Sequence, residues 1–368
     1  MRDKLRPSER ALLESFQAGE ARALARAISW VENGRPGFER LLSALHQRVG
    51  RAHRIGVTGP PGAGKSTLIQ ALALKLRERE EGVGVVAVDP TSPFTGGALL
   101  GDRVRMGGAA GDRGVFIRSM ASRGSLGGLA TTTREVADLM DAFGFGRVVV
   151  ETMGVGQSEL EIAQAADTTV VVLTPESGDS VQAMKAGLME IADIFVVNKA
   201  DRPGAARAAS DLKTTLRIRQ GRAYGRVPAH HGVDLREMAR QRAQRQEGGG
   251  DGRGSGGEPT DAVWDTPVLL TTAEEDGGIA ELLEALDQHF DFLRSSGLLE
   301  ERRRSRLLER VRAAVDRGLR LRVWRDGDGE SLLAAARADL EAGRRTPYDV
   351  AGEIVDRFST ARARGELE

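Results

Sequence analysis

The sequence predicts an α/β fold: a mostly parallel sheet with helices on both faces, extended by helices at both ends of the chain. Three observations predict it. Between residues 53 and 202, short β-rich runs alternate with helical segments. The runs are apolar throughout rather than at alternate positions, as in strands buried on both faces. Polar residues collect at their carboxyl ends, where sheets of this kind bind ligands.

The first run, Ile55-Gly56-Val57-Thr58, reads as a short buried strand, and Leu68 to Leu76 has helical spacing. Between them lies Gly59-Pro60-Pro61-Gly62-Ala63-Gly64-Lys65-Ser66-Thr67, which fits the phosphate-loop pattern G-x-x-x-x-G-K-[ST] at every fixed position. Glycines let the backbone turn its N–H groups inward at a helix N-terminus, where the helix dipole also favours an anion. In that geometry Lys65 reaches the β- and γ-phosphates and the Ser66 hydroxyl ligates Mg²⁺. The architecture is therefore that of a P-loop NTPase.

Ahead of the loop, residues 8 to 49 show two helical patterns, Ala11 to Val31 and Phe38 to Val49, separated by Asn33-Gly34-Arg35-Pro36-Gly37. They predict an N-terminal helical extension over 1–52. The remaining strands are predicted at Val83–Val88, Val115–Ile117, Arg147–Val150, Thr168–Leu173 and Ile194–Val197. Asp89 follows the first of these and opens a segment to Met106 that contains Asp102. A loop of this length reads as a nucleotide-responsive switch. Both aspartates are magnesium-shell candidates, with helix capping as the competing reading. Glu151 follows Val148-Val149-Val150 and leads into Gly154-Val155-Gly156, a carboxylate and glycines suited to sensing a γ-phosphate.

Asn198-Lys199-Ala200-Asp201 ends its own strand with the guanine-reading pattern N-K-x-D. The Asp201 carboxylate accepts from guanine N1–H and the exocyclic amine, while the Lys199 stem packs on the base. Adenine would set a lone pair against that carboxylate, which favours GTP. The GTPase domain is predicted over 53–294, with an arginine- and glycine-rich insert at about 221–262 of linker composition. His230-His231 within it is not read as a metal site, given five histidines in all. A last strand and loop, Pro267 to Glu274, and an amphipathic helix from Ile279 to Leu293 close the domain. From 295 to 368 a helical arm follows, divided at Gly318 and Asp326-Gly327-Asp328-Gly329.

The 368 residues carry 53 basic and 53 acidic side chains, so nothing marks a nucleic-acid binder. There is no cysteine, which excludes disulfides, thiolate catalysis and cysteine-based metal sites. With no membrane-length apolar run and no secretion signal at Met1-Arg2-Asp3-Lys4-Leu5-Arg6, a cytoplasmic location and no membrane partner are expected.

Taken together these motifs resemble the MeaB/ArgK-type GTPases. The resemblance rests on the phosphate loop, Gly96 to Met106, Ser122 to Gly128, Glu151 to Glu159, Gly178 to Gly187 and Asn198 to Asp201. It implies a chaperone whose GTP hydrolysis gates adenosylcobalamin loading or protection of a B12-dependent acyl-CoA mutase. Ser66, Asp89, Asp102 and Glu151 then hold Mg²⁺, Lys65, Glu151 and Lys185 act in hydrolysis, and Lys185 and Gln182 respond to the mutase. Thr272-Ala273-Glu274 stands where the family has a Ser-Ala-Leu guanine contact, and homodimers form through the C-terminal helices. Two alternatives belong to other classes, an ATP-dependent kinase linked to amino-acid transport and a metal-insertion GTPase. Asp201 argues against the first, the lack of cysteine against the second.

Overall fold

The computed structural model describes residues 5–90, 112–122, 128–152, 162, 165–176, 188–219, 263–325 and 327–363. It divides into two compact units, 1–300 and 301–368. Among the described residues of the first unit, seven strands form one sheet: β1 (His53–Thr58), β2 (Val83–Pro90), β3 (Val115–Ser122), β4 (Arg147–Glu151), β5 (Thr168–Leu173), β6 (Ile194–Val197) and β7 (Val268–Leu270). Their order is β3-β2-β4-β1-β5-β6-β7, and every neighbouring pair is parallel. All seven carboxyl ends therefore lie along one edge, and β1 sits between β4 and β5.

Helices cover both faces, which is why the inner strands read as unbroken apolar runs. On one face α4 (Lys65–Glu78) and α8 (Ile279–Ser295) bury Leu68, Leu72, Leu282 and Leu286 against Ile55, Val57, Val149 and Val170. On the other, α5 (Gly128–Phe143) packs Val136 and Met140 on Val86, Val148 and Val150, in one core with the N-terminal helices α1 (Pro7–Gln17), α2 (Ala21–Glu32) and α3 (Phe38–Leu45). α7 (Ala205–Arg219) covers β6 and β7 on that side, beside the short α6 (Leu188–Ile191). Residues 1–52 thus contribute Leu12, Phe16, Leu24, Ile28 and Leu41 to the sheet's own core.

Three local readings change. The pattern from Ala11 to Val31 is two helices, because Gly19 adopts φ 81°, a left-handed turn that ends α1 and starts α2. β2 runs on through Asp89 to Pro90, so Asp89 lies within the strand's end instead of following it. Gly318 does not interrupt the second unit: α9 (Leu298–Trp324) passes through it, and the break falls before α10 (Gly329–Glu341). α10 and α11 (Pro347–Ala363) pack Ala336, Val350 and Ile354 into a small core with Val323 and Leu340. Along α9, Leu307, Leu308, Val311, Val315 and Leu319 are exposed. Among the described residues, no helix is long and apolar enough to cross a membrane.

Candidate nucleotide site

The loop between β1 and α4 needs glycine for reasons of space as well as of torsion. Gly59 has φ 137°, and a Cβ there would stand 2.0 Å from the Val172 carbonyl oxygen of β5. Gly64 has φ 84°, and a Cβ there would stand 2.4 Å from Asn198 Nδ2. Neither position admits another residue without moving backbone or a buried amide. The turn brings Lys65 to the first position of α4, where its Nζ donates to the carbonyls of Gly59 (2.8 Å) and Pro60 (2.9 Å). Pro60 to Gly62 form the outer rim, with Pro61 and Gly62 exposed, and Ala63 turns back into the core beneath α4. Ser66 and Thr67 follow Lys65 in the first turn of α4 and are half-buried.

Glu151 closes the opposite wall. It ends β4, level with Val57 of β1, and its side chain is buried. The Ser66 hydroxyl donates to Glu151 Oε1 at 2.8 Å. A serine hydroxyl and a carboxylate in contact at a helix N-terminus are hard oxygen donors of the kind that fit Mg²⁺. Asp89 brings its backbone to the same strand edge, at the end of β2. Asp102, Gln182, Lys185, the glycines after Glu151 and the insert with His230 and His231 lie outside the described residues.

The predicted base-reading segment meets the loop directly. Asn198, buried, donates from Nδ2 to the Ala63 carbonyl (2.9 Å), while its Oδ1 accepts from Thr271 Oγ1 (3.0 Å) and the Ala273 amide (3.2 Å). This one side chain ties the phosphate loop, β6 and the loop after β7 together. Lys199 adopts φ 57° and donates to the Gly62 carbonyl at 2.9 Å, so its stem spans the loop. Asp201 is exposed and carries no competing ion pair among those found in the described residues. Thr272, half-buried, pairs with Gly277 across a tight turn, Ala273 is buried, and Glu274 is exposed. The Ala273 amide does its work through the backbone, whatever its neighbours' side chains.

Sequence reasoning missed two polar groups. One is a pair of buried hydroxyls at the strand ends, Thr152 Oγ1 donating to Thr58 Oγ1 at 2.9 Å. The other lies at the amino ends of the same strands. There Asp141 of α5 accepts from the amides of Gly50 (2.7 Å), Arg51 (3.1 Å) and Ala52 (3.0 Å) and pairs with Arg54, which also pairs with Asp138. Burial alone would lower the Arg54 pKa, but the facing carboxylates of Asp138 and Asp141 hold it above the ordinary arginine value. Beside it, Arg147 Nη1 contacts His53 Nδ1 (2.8 Å), His53 Nε2 contacts Thr168 Oγ1 (2.7 Å), and that oxygen contacts His289 Nδ1 (2.8 Å). A guanidinium only donates, so His53 accepts at Nδ1 and carries its proton on Nε2. The Thr168 hydroxyl then donates its hydrogen bond to His289 Nδ1, whose Nε2 stands 3.2 Å from Asp193 Oδ1. A polar residue inside an apolar strand, such as His53 or Thr168, is the only sequence signal for this network.

Comparison with known proteins agrees over most of the chain. The family model described as "Methylmalonyl Co-A mutase-associated GTPase MeaB" matches residues 24–328. A protein of Pyrococcus abyssi with a provisional GTPase designation is 43% identical over 304 residues, 83% of each chain. The GTPase ArgK of Escherichia coli is 36% identical, covering 84% of this chain and 85% of its own. The mouse mitochondrial methylmalonic aciduria type A homolog is 32% identical, covering 78% of this chain and 64% of its own. A crystal structure described as a LAO/AO transport system kinase superposes with a TM-score of 0.62 at 25% identity, over 96% of this chain and 99% of the other.

Proposed function

The chain belongs to the MeaB family of GTPases, and from that premise we propose that it hydrolyses GTP slowly and uses the nucleotide state to gate adenosylcobalamin delivery to, or protection of, an acyl-CoA mutase. The observation that carries the nucleotide half of this reading is the 2.8 Å contact between Ser66 and Glu151 beside a loop braced by Asn198. The family description, which names a methylmalonyl-CoA mutase, supports the partner half.

In this reading the amides of Gly62 to Thr67 cradle the β-phosphate at the N-terminus of α4. Lys65 exchanges the carbonyls of Gly59 and Pro60 for β- and γ-phosphate oxygens. Ser66 and Glu151 hold Mg²⁺, with Asp89 and Asp102 as the further carboxylates toward it. When bound, the ion neutralises charge on the phosphate oxygens. Asp201 reads the guanine edge, Lys199 lies along the base, and the Thr272–Glu274 turn contacts it through backbone. Water attacks the γ-phosphate in line, and Lys65 and the loop amides stabilise the charge that develops. With Glu151 engaged by Ser66, no described side chain is placed as a strong base, which fits a slow intrinsic rate that the mutase raises, Lys185 being the candidate contact. The exposed apolar residues of α9 support a homodimer formed by the helical arm.

The test is phosphate release from GTP with and without each candidate mutase, together with mutase binding in the presence of GDP or a non-hydrolysable GTP analogue. Stimulated turnover and nucleotide-dependent binding are expected. An unchanged rate with every mutase tried, and binding blind to nucleotide, would remove the chaperone role and leave only the GTPase.

A further inference from the structure

The hydroxyl pair Thr58–Thr152 occupies a position that chain geometry makes consequential. The β1–β4 register pairs Val57 with Glu151, so Thr58 and Thr152 are the next residues along. Side chains alternate between faces of a sheet, and Glu151 points toward α4 while Thr152 points to the other side. The backbone is held there by the Thr152 amide donating to the Val57 carbonyl at 3.1 Å. One residue further, the Thr152 hydroxyl donates to that of Thr58 at 2.9 Å, with both side chains buried.

Each threonine adjoins a working group. Thr58 precedes Gly59, whose carbonyl holds Lys65 Nζ, and Thr152 follows Glu151, which accepts from Ser66. The hydroxyl bond therefore ties the peptide leading into the lysine cradle to the peptide leaving the carboxylate. Two valines of the same shape would fill this space without the cost of burying hydroxyls. What hydroxyls add is direction, because the bond has a preferred length and angle and the β-branched side chains are stiff about χ1.

We propose that Thr58 and Thr152 are positioning residues for Glu151, fixing the carboxylate against Ser66 and so setting the affinity of the site for a divalent cation when nucleotide is bound. The proposal rests on the GTP-binding reading above. It is tested on the full chain with a fluorescent non-hydrolysable GTP analogue, titrated in EDTA and across a Mg²⁺ series, alongside thermal unfolding. The variants are Thr152→Ser, Thr152→Val and the double variant Thr58→Val/Thr152→Val. The double variant replaces both partners with groups of the same shape and keeps stability near wild type, whereas Thr152→Val alone orphans the Thr58 hydroxyl.

The expected result is equal affinity for the analogue in EDTA, and a Mg²⁺ midpoint raised about 10-fold in the double variant, the size seen when groups behind a metal ligand are lost. Thr152→Ser keeps the wild-type midpoint. An unchanged midpoint in the double variant overturns the proposal, as does a loss of affinity equal in EDTA and Mg²⁺ that follows the melting temperature. Failure of the GTP reading looks different: the wild-type chain takes up the analogue in neither condition, and the positioning role falls with it.

Discussion

The two ends of β1 lie roughly 16 Å apart, at about 3.3 Å per residue, and they handle buried polarity in opposite ways. At the amino end, Arg54 and Asp141 answer each other and three backbone amides, and His53 joins Arg147 to Thr168. That end finds its partners within the protein. At the carboxyl end, Lys65 rests on two neutral carbonyls and Ser66 on one carboxylate, contacts that nucleotide and its cation would take over in the proposed GTP-binding reading. The same strand thus carries structural polarity at one end and exchangeable polarity at the other, and mutations at the two ends should separate stability from binding.

The largest effect is expected at the amino end. Asp141→Ala leaves Arg54 with Asp138 alone and three amides without their acceptor, and breaking a buried pair from one side costs about 3–5 kcal/mol. Denaturant unfolding should register this, while the folded fraction binds GTP as before; an equal loss of affinity would erase the distinction between the ends. Lys65→Ala should do the reverse. Phosphate release is expected to fall roughly 100- to 1,000-fold, the usual consequence of removing a donor to transition-state charge, with little change in the unfolding midpoint without nucleotide.

Asp201→Asn sharpens the carboxyl end further. Losing charge-assisted bonds of about 1.5–3 kcal/mol should weaken GTP roughly 10- to 100-fold in a competition assay without improving ATP. Thr168→Val returns to the histidine network and removes the oxygen between His53 and His289. It should cost about 1–3 kcal/mol of stability by chemical denaturation and leave turnover intact.

Glu9 in α1 offers a control remote from either end. Its hydrogen bond from Arg40 outweighs burial, which acts in the opposite direction, and with the Arg6 amide it holds the carboxyl below the ordinary glutamate range. A depressed carboxyl contributes stability above its unfolded pKa and loses it as pH falls through the folded value. The melting temperatures of wild type and Glu9→Gln should therefore differ at neutral pH, begin to approach each other as pH falls past the ordinary glutamate value of about 4.3, and converge below the depressed folded value. A constant gap would mean that the ion pair contributes nothing titratable.

The sheet was legible because its strands are apolar on both faces, and the phosphate loop because its glycines and lysine fall at fixed spacing. Helix ends were less so. The break between α1 and α2 depends on one left-handed glycine, and Gly318 looked like a break but sits inside α9. The polar network at the amino end was illegible for a different reason. His53, Thr168 and His289 stand 115 and 121 residues apart, and no local pattern connects them. Asn198 lies between: the N-K-x-D pattern singled it out, but that it would brace Ala63 and Ala273 together follows only from the packed loops.

The strand order also has a temporal side. β1 is the first strand of the sheet to leave a ribosome, yet its neighbours are β4 and β5, and its first partner, Arg147 opposite His53, lies 94 residues downstream. At roughly 5–20 residues per second, synthesis leaves that strand without a partner for about 5–20 s. Until then the β2–β3 pair is the part of the sheet available to α4, and the phosphate loop lacks the strands that flank β1. Nucleotide binding thereby becomes a late event of folding, available only once β1 has closed its long-range pairings with both β4 and β5.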